Sequence, residues 1–294
     1  MKIKKIIVIP KLSKYELDMK CLNLSEKELI EKYENEGINI KRIINSHQRQ
    51  KDALNKLKEL LPEAEFIQRE GLTKEIVKKA DLIISFGGDN HFQYVSHFLN
   101  GKLILGINSD PVSSEGVLNN FTIESFKEKL NEIKKGNYKV ENWTRLKVIL
   151  NNKVMGLAID EVFIGESERK NMSRHIIKVN NNSEEQKNSG LIIATGAGST
   201  GWYDSSCRYL FENGDKFPKD SEYAKFIATE PYRGKLNGSK LLHGILNKNE
   251  TINVASLNDS GGIVSLDCLE EYEFNRGAKV KIKIGVPLKV IIVR

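Results

Sequence analysis

The order of secondary-structure patterns along the chain constrains its fold more than any single motif does. In the first half, apolar strand-like segments such as Ile3–Ile9 and Leu82–Phe86 alternate with amphipathic segments of helical periodicity. Short connections between such segments are typical of a parallel sheet covered by helices on both faces. We therefore predict a Rossmann-like parallel α/β domain. The other predicted strands are Glu65–Gln68 and Leu103–Ile107, and the predicted helices are Ser25–Glu36, Ile44–Leu61, Thr73–Lys79 and Ile123–Lys135.

The pattern changes near Asn137, and strand-like segments dominate from there to the end of the chain. Short β-branched runs separated by polar turns are typical of antiparallel sheets. One predicted helix, Trp202–Glu212, interrupts them. We predict an α/β domain over residues 1–137 and a β-rich, sandwich-like domain over residues 138–275. Terminal strands over residues 276–294 complete the chain, and their return to the first domain is one option.

Composition narrows the functional classes. The chain has 294 residues, a net charge of +7 and 39% hydrophobic residues, which is typical of a globular protein. No apolar run approaches the ~20 residues that a spanning helix requires, so we expect no membrane partner. The basic balance suits an anionic small substrate and nucleic acid equally. The motifs below decide against nucleic acid as a partner.

Cysteine and histidine usage argues against a structural metal site. The three cysteines have no Cys-x-x-Cys spacing, and the five histidines show no metal-ligand pairing. The sequence also shows neither a signal peptide nor a transit peptide at its start. These features predict a reducing compartment, and we expect a cytoplasmic protein without a disulfide framework.

A first glycine-bearing loop, Gly87-Gly88-Asp89-Asn90, follows an apolar strand and precedes a helical pattern. Glycines at a strand end allow close approach of a ligand, and a helix N-terminus favours phosphate. Beside phosphates, a carboxylate at Asp89 is repelled unless it binds Mg²⁺, accepts a hydroxyl proton or holds a sugar hydroxyl. The alternative is a turn in which Asp89 only caps the helix.

A second loop, Thr195–Trp202, contains Gly196, Gly198 and Gly201 in the spacing of the dinucleotide-binding fingerprint. The fingerprint also requires a second strand that ends in an acidic residue about 20 positions later. The segment at that distance, Gly214–Asp220, is polar and turn-like. A nucleotide-binding loop of another kind, a true fingerprint and a glycine-rich hairpin therefore all remain open.

Taken together, the two loops and the segments around them resemble the NAD kinase family, particularly its mitochondrial-type branch. The family has a Gly-Gly-Asp-Gly loop, a Gly-(Ile/Val)-Asn-(Thr/Ser)-Asp-Pro element with a downstream Ser-Glu-Gly, an Asn-Glu pair in a strand and a Thr-Gly-x-Gly-Ser-x-x-Trp loop. The corresponding segments here are Gly87–Phe92, Gly106–Pro111 with Ser114–Gly116, Asp160–Glu161 and Thr195–Trp202. Four elements in the correct order are more specific than any one of them. Ser265–Asp267 resembles a later turn of the family.

The resemblance implies an ATP-dependent kinase that phosphorylates the 2′-hydroxyl of the adenosine ribose of NAD to give NADP. It implies that Asp89 is catalytic, that Mg²⁺ accompanies ATP, and that the protein is a homodimer or homotetramer. It also implies binding of NAD or nucleotide by the residues that match the family's motifs. These are Gly87, Gly88, Asn90, His91, Asn108, Asp160, Glu161, Thr200, Gly201, Trp202 and Ser205.

Three positions depart from the family: Asn90 replaces a glycine, His91 a threonine or asparagine, and Asp160 an asparagine. His91 has two interpretations, a phosphate contact or a solvent-facing or capping role, and Trp202 either stacks on a base or packs as a core aromatic. Alternative functions are a Gly-Gly-Asp kinase with a lipid or NADH as acceptor, and a non-catalytic NAD sensor. An oxidoreductase would need a hydride-transfer constellation, and no such arrangement is evident.

Overall fold

A computed structural model describes residues 3–208, 211, 214–235, 237–238 and 240–292. The chain forms two compact units. Unit 1 comprises Met1–Val140 and Val290–Arg294, and unit 2 comprises Glu141–Lys289. The compact unit 1 ends at Val140 and resumes at Val290. The domain limits at residues 137 and 275 stay predictions.

Unit 1 is built on a six-stranded sheet. Three of its strand pairs, β1 with β2, β1 with β3 and β3 with β4, are parallel, as the strand–helix alternation predicts. β3 and β4 are buried along their whole length, because a parallel sheet is covered on both faces. In spatial order the strands are β2 (Glu65–Phe66), β1 (Ile6–Pro10), β3 (Leu82–Gly87), β4 (Leu103–Asn108), β18 (Leu288–Ile292) and β5 (Lys139–Trp143).

Local capping signals set the helix boundaries in unit 1. Ser25 caps α2 in a capping box with Glu28, and Thr122 caps α6, which ends at Gly136 in the left-handed conformation. The sequence interpretation missed α1, although Ser13 and Glu16 form the same capping box there. The helices are α1 (Lys14–Leu22), α2 (Glu26–Asn35), α3 (Ile40–Leu60), α4 (Lys74–Lys78), α5 (Asp89–Ser96) and α6 (Ile123–Lys135).

Unit 2 contains two antiparallel sheets of six strands each. One sheet has the order β10-β9-β14-β17-β6-β7 and the other the order β13-β12-β11-β8-β15-β16. The first consists of β10 (Asn182–Asn188), β9 (Ser173–Val179), β14 (Ile252–Ser256), β17 (Lys279–Ile284), β6 (Leu146–Leu150) and β7 (Lys153–Ala158). The second consists of β13 (His243–Asn247), β12 (Tyr223–Thr229), β11 (Gly190–Ala194), β8 (Glu161–Glu166), β15 (Gly262–Leu266) and β16 (Glu270–Glu273).

The core of unit 2 lies between its two sheets. A single cluster of buried side chains draws Val148 and Val254 from the first sheet and Ile164 and Leu191 from the second. Strand β9 alternates strictly between buried and exposed residues, which is the pattern of a sheet with one solvated face. The predicted sandwich-like second half is therefore confirmed, as is the α/β first half.

One helix, α7 (Trp202–Cys207), interrupts the strands of unit 2 where a helix was predicted. The remainder of that prediction extends to Glu212, which lies outside the described residues, as do residues 209 and 210. Within the described parts of the chain, none of the helices combines the length and the apolar character needed to traverse a bilayer.

Candidate functional site

The first glycine loop joins a buried strand directly to a helix. Strand β3 ends at Gly87, Gly88 is the N-cap of α5, and Asp89 is the first helical residue. A Cβ on Gly87 would lie 2.8 Å from the His91 ring, so this glycine is required by packing. A Cβ on Gly88 would meet only the Ser114 hydroxyl at 3.7 Å. The space beside Gly88 therefore adjoins the free N–H groups of a helix N-terminus.

The Asp89 carboxylate holds a loop from elsewhere in unit 1. Its oxygens accept hydrogen bonds from the amides of Val117 at 3.0 Å and Leu118 at 2.8 Å, and from the Asn119 side chain at 3.0 Å. The partners lie 28 to 30 positions away along the chain, so the Asp89 side chain holds a distant loop and is not the cap of its own helix. Three donors fix the orientation of the carboxylate beside the opening at Gly88.

Asn108 anchors the start of the same loop. Its side-chain amide donates to the Ser114 carbonyl at 2.9 Å, and its side-chain oxygen accepts from the Asp110 amide at 3.1 Å. Asn108 is only 4% exposed. A Cβ on Gly116 would lie 2.3 Å from the Asn108 amide, and Gly116 has a φ of +62°, so only glycine suits that position. Asn108 therefore has one internal hydrogen bond from its amide group and one to its oxygen, and its predicted ligand contact stays a prediction.

A partly buried ion pair holds the loop from the other side, and its basic member, Arg49, was not predicted from the sequence. Arg49 in α3 donates from Nε and Nη2 to the two oxygens of Asp110, at 2.8 and 3.0 Å, and Ser46 donates at 2.6 Å. Burial acts to raise the pKa of Asp110, but the bonds from Arg49 and Ser46 outweigh it and hold the pKa below its usual range. Because 61 positions separate Arg49 from Asp110, no local pattern could have paired them.

His91 corrects the sequence interpretation. Its side chain is completely buried, with Nε2 at 2.8 Å from the Ile9 carbonyl, so it neither faces solvent nor reaches a ligand at the surface. Burial lowers the pKa of His91 to about 4, which keeps the ring neutral. The ring fills the space that the missing Cβ of Gly87 leaves. Asn90, by contrast, is exposed on the first turn of α5.

In unit 2, a third carboxylate organises the predicted Asp160–Glu161 pair. The Asp267 oxygens accept the amides of Ile159 at 2.8 Å, Asp160 at 2.8 Å and Glu161 at 3.0 Å. Three consecutive N–H groups directed at one anion form a backbone nest. Asp267 itself lies in a hairpin turn with Cys268, and both residues have positive φ, a conformation that aspartate tolerates.

The side chain of Glu161 is buried close to the Asp267 carboxylate. Burial raises the pKa of Glu161 to about 7, and the negative charge of Asp267 acts in the same direction. The Cys268 thiol donates to Glu161 at 3.8 Å. Glu161 therefore holds a proton at a higher pH than an ordinary glutamate does.

The second glycine loop packs against the same segment. The amide of Thr195 donates to the Asp160 carbonyl at 2.8 Å, and its hydroxyl donates to the Ile159 carbonyl. A Cβ on Gly198 would lie 2.3 Å from the Asp160 carbonyl oxygen, and one on Gly196 would lie 1.9 Å from the Pro218 carbonyl oxygen. Glycine is therefore required at both positions because the backbone of another chain segment packs directly against each of them.

The loop is not a Rossmann fingerprint. Strand β11, which precedes it, pairs antiparallel with both β8 and β12, whereas the fingerprint requires a parallel βαβ unit. Gly201 is the N-cap of α7, and a Cβ there would meet nothing closer than 3.8 Å. Ser205 and Thr200 are exposed beside it.

Trp202 is partly exposed and stacks on a second aromatic ring. Its side chain is 38% exposed, and its ring centroid lies 4.8 Å from that of Phe163 at an interplanar angle of 30°. A Cβ on Gly190 would lie 2.2 Å from the Phe163 ring, so the glycine makes room for the stack. Trp202 is thus neither a core residue nor a free platform: one face packs and the residue keeps solvent-exposed surface.

The structure thus groups the predicted residues into two sets. Gly87, Gly88, Asp89, Asn90 and Asn108 lie around the carboxyl ends of β3 and β4 in unit 1, and Asp160, Glu161 and the Thr200–Ser205 segment lie in unit 2. Among the described residues, no group of three or more His, Cys, Asp or Glu side chains is placed to hold a metal ion.

Sequence comparison finds kinases of pyridine dinucleotides. "Probable NADH kinase" of Oryza sativa is 27% identical over 250 residues, which are 77% of this chain and 75% of that protein. "NAD kinase 2, mitochondrial" of Homo sapiens is 24% identical over 67% of this chain and 57% of that protein. An "NAD kinase" of Chloroherpeton thalassium is 31% identical over 42% of this chain and 44% of that protein. The chain is related to the NAD kinases.

Comparison with solved structures supports the same fold. An NAD kinase from Archaeoglobus fulgidus, solved with ATP, has a TM-score of 0.66 and 21% identity, and the match covers 98% of this chain and 93% of that one. A yeast NADH kinase solved with NADH has a TM-score of 0.67 and 13% identity, over 100% of this chain and 85% of that one. No protein-family model matches the sequence. The fold is therefore that of the NAD kinases.

Proposed function

We propose that this protein is an NAD kinase, which transfers the γ-phosphoryl group of ATP to the 2′-hydroxyl of the adenosine ribose of NAD to give NADP. The observation that carries the proposal is the position of Asp89. It is a carboxylate fixed by three donors at the first turn of α5, beside a glycine with open space in front of it. The fold shared with NAD kinases gives that position its context.

In this proposal, Asp89 accepts the proton of the ribose 2′-hydroxyl. The oxygen then bonds to the γ-phosphorus, and the bond between phosphorus and the leaving ADP oxygen breaks. The space beside Gly88 and the N–H groups at the start of α5 receive phosphate oxygens. The exposed Asn90 amide lies on the same turn and adds a donor.

We propose that Mg²⁺ would arrive with ATP and would supply positive charge that offsets the charge of the phosphates. The donor set of the described residues fits a metal held chiefly by the nucleotide, because Asp89 offers oxygens there and no cluster of acids surrounds it. The protein's own part is then to position the acceptor hydroxyl.

Unit 2 is proposed to bind the dinucleotide. Asp160 and Glu161 would accept hydrogen bonds from ribose hydroxyls, and their backbone is already fixed by Asp267. Thr200, Gly201 and Ser205 are exposed next to Trp202, whose exposed surface suits contact with a base or ribose. The phosphate contact predicted for His91 is not part of this proposal, because its side chain is completely buried inside unit 1, and the contact predicted for Asn108 stays a prediction.

NADH is the second candidate acceptor. The acid at Asp160, where the resemblance implies an asparagine, is the observation that favours testing it, and relatives named NADH kinase exist in plants. The homo-oligomeric state and the cytoplasmic location predicted from the sequence stay predictions.

A coupled assay tests the proposal. The purified protein is incubated with Mg²⁺-ATP and either NAD or NADH, and the phosphorylated product is detected with an NADP-specific dehydrogenase. We expect product from at least one dinucleotide, and none when ATP is omitted. Saturable NAD binding by calorimetry without product would replace the kinase with a sensor. Absence of both product and binding would reopen the lipid-acceptor alternative.

A further inference from the structure

The outward face of one sheet of unit 2 is strongly basic along its four inner strands. The four strands β6, β17, β14 and β9 direct ten side chains away from the core, and six of these are lysine or arginine while none is acidic. The ten residues are Lys147, Ile149, Lys279, Lys281, Lys283, Asn253, Ala255, Arg174, Ile176 and Lys178. In the whole chain, 39 acidic residues nearly balance 46 basic ones. The excess of basic over acidic side chains on this face is therefore a local feature and not a consequence of the overall composition.

A groove runs through the middle of that face. Its volume is about 460 Å³, and Lys178, Lys279 and Lys281 line it together with Asn253 and the apolar side chains of Ile149 and Ile176. This volume falls within the range of pockets that bind small molecules. We call this feature the lysine groove.

Sheet register brings the three lysines around one point. Lys178 and Lys281 both pair with Asn253, one from each side, and Lys279 is two positions from Lys281 on the same strand. Strand spacing places Lys178 and Lys281 about 9.6 Å apart and Lys281 and Lys279 about 6.8 Å apart at the backbone. All three are exposed, and none of them forms an ion pair with an acid within the described residues. The edge strand β10 brings one acid to this face, Glu185, and it lies opposite Ile176.

We propose that the lysine groove is a second binding site, lined by none of the residues of the proposed kinase site, for a small metabolite that carries two or more phosphate groups. Three ammonium groups at this spacing suit several anionic groups on one compact ligand, because each lysine contacts phosphate as a mobile point charge. Ile149 and Ile176 offer apolar surface to the carbon part of such a ligand. The proposal does not depend on which dinucleotide the protein phosphorylates.

Two other occupants fit the groove less well. A single-stranded nucleic acid is usually held by aromatic side chains on which its bases stack, and the ten outward residues include no aromatic side chain. A second copy of the chain related by two-fold symmetry would place this basic face against itself, which like-charge repulsion disfavours.

Lysine footprinting tests the proposal with inorganic pyrophosphate as the probe. The full-length protein is acylated with and without pyrophosphate at constant ionic strength, and the modification of each lysine is read by peptide mass spectrometry. We expect pyrophosphate to protect Lys178, Lys279 and Lys281 but not Lys127 and Lys134, which are exposed on α6. This readout is specific to the groove, so phosphate binding at the kinase site does not contribute to it.

A double variant, Lys178→Gln with Lys281→Gln, provides the second measurement. The pyrophosphate concentration that half-protects Lys279 should rise about tenfold or more, because two of three charge-assisted contacts are lost. The matched variant, Lys127→Gln with Lys134→Gln, should leave it unchanged. Equal protection of groove and α6 lysines, or no protection, would overturn the proposal. Protection only by an oligonucleotide, or only at high protein concentration, would replace the metabolite with nucleic acid or with a second copy.

Discussion

The motif acids of the two units have opposite structural roles. In unit 1 the motif acid, Asp89, itself holds a distant loop through three hydrogen bonds. In unit 2 the motif acids, Asp160 and Glu161, are held through their backbone by Asp267. A motif acid that also supports the fold cannot be altered without structural cost. A motif acid whose backbone is held by a separate acid can be substituted, because the segment stays in place whatever its side chain is.

Removing Asp267 should therefore cause the largest loss of stability. Asp267→Ala leaves the buried amides of three consecutive residues without their charged acceptor. Hydrogen bonds to charged groups and unsatisfied buried donors each cost more than ordinary ones, so we expect unfolding to require ~4 kcal/mol less free energy. Urea denaturation followed by circular dichroism measures this. Asp259→Ala, at an exposed acid in the same unit, is the matched control and should cost ~0.5 kcal/mol.

A loss for Asp267→Ala no larger than that of the control would mean that solvent or neighbouring groups replace the carboxylate. The difference between the motif acids of the two units would then disappear. Asp267→Asn should fall between the two variants, because its single amide oxygen accepts hydrogen bonds without a full charge.

Acid should weaken unit 1 through His91. The pKa of His91 is lowered to about 4 in the folded protein, against 6.5 when unperturbed. Between these values the unfolded chain binds a proton that the folded state excludes, so stability falls as the pH decreases from 6.5 towards 4. The full shift corresponds to ~3 kcal/mol.

His91→Gln removes this titration and preserves a donor towards the Ile9 carbonyl. Melting temperatures measured from pH 7 to pH 4 should therefore fall less steeply in the variant than in the wild type. His243→Gln, at an exposed histidine, should follow the wild-type profile. The buried His175, whose pKa burial also lowers to about 4, continues to contribute to the acid sensitivity of all three proteins. Parallel profiles for His91→Gln and the wild type would contradict the assignment.

The position of His91 also shows what could and could not be predicted from the sequence. Strand–helix alternation and capping boxes predicted the two halves and most helix limits, because these signals are local. Whether His91 faces outward depends on Gly87, whose missing Cβ makes room for the ring. The partners Arg49 and Asp110, and likewise Asp267 and Glu161, are separated by 61 and 106 positions, so only the folded chain brings them together.

Asp89→Asn should reduce turnover by at least ~100-fold, because the proposed proton acceptor is lost. It should also cost some stability, since an amide group cannot accept from all three donors of the loop. Asp81→Asn is a matched control: the Asp81 carboxylate accepts the amides of Lys4 and Lys5, both at 2.9 Å, without lying at the glycine loop. The coupled assay and thermal melting are compared for both variants.

Comparing Asp89→Asn with Asp81→Asn distinguishes a role of Asp89 in catalysis from a role in holding the fold. If both variants lose similar stability and only Asp89→Asn loses turnover, Asp89 acts in the reaction. Near wild-type turnover in Asp89→Asn would confine Asp89 to holding the loop. Dinucleotide affinity, measured by calorimetry, should be similar in Asp89→Asn and the wild type.

Asp160→Asn should have the smallest effect, a change of roughly threefold or more in the ratio of NAD to NADH turnover. The backbone amide of Asp160 bonds to Asp267 whatever its side chain is, so the fold and the position of the segment should persist. The exchange replaces a charged acceptor with a group that both donates and accepts, which alters contacts with a ribose or base but not the phosphate chemistry. Asp220→Asn, at an exposed acid of the same unit, should leave the ratio unchanged. An equal ratio in wild type and Asp160→Asn would mean that this position does not set the preference, and selectivity would then have to come from another residue.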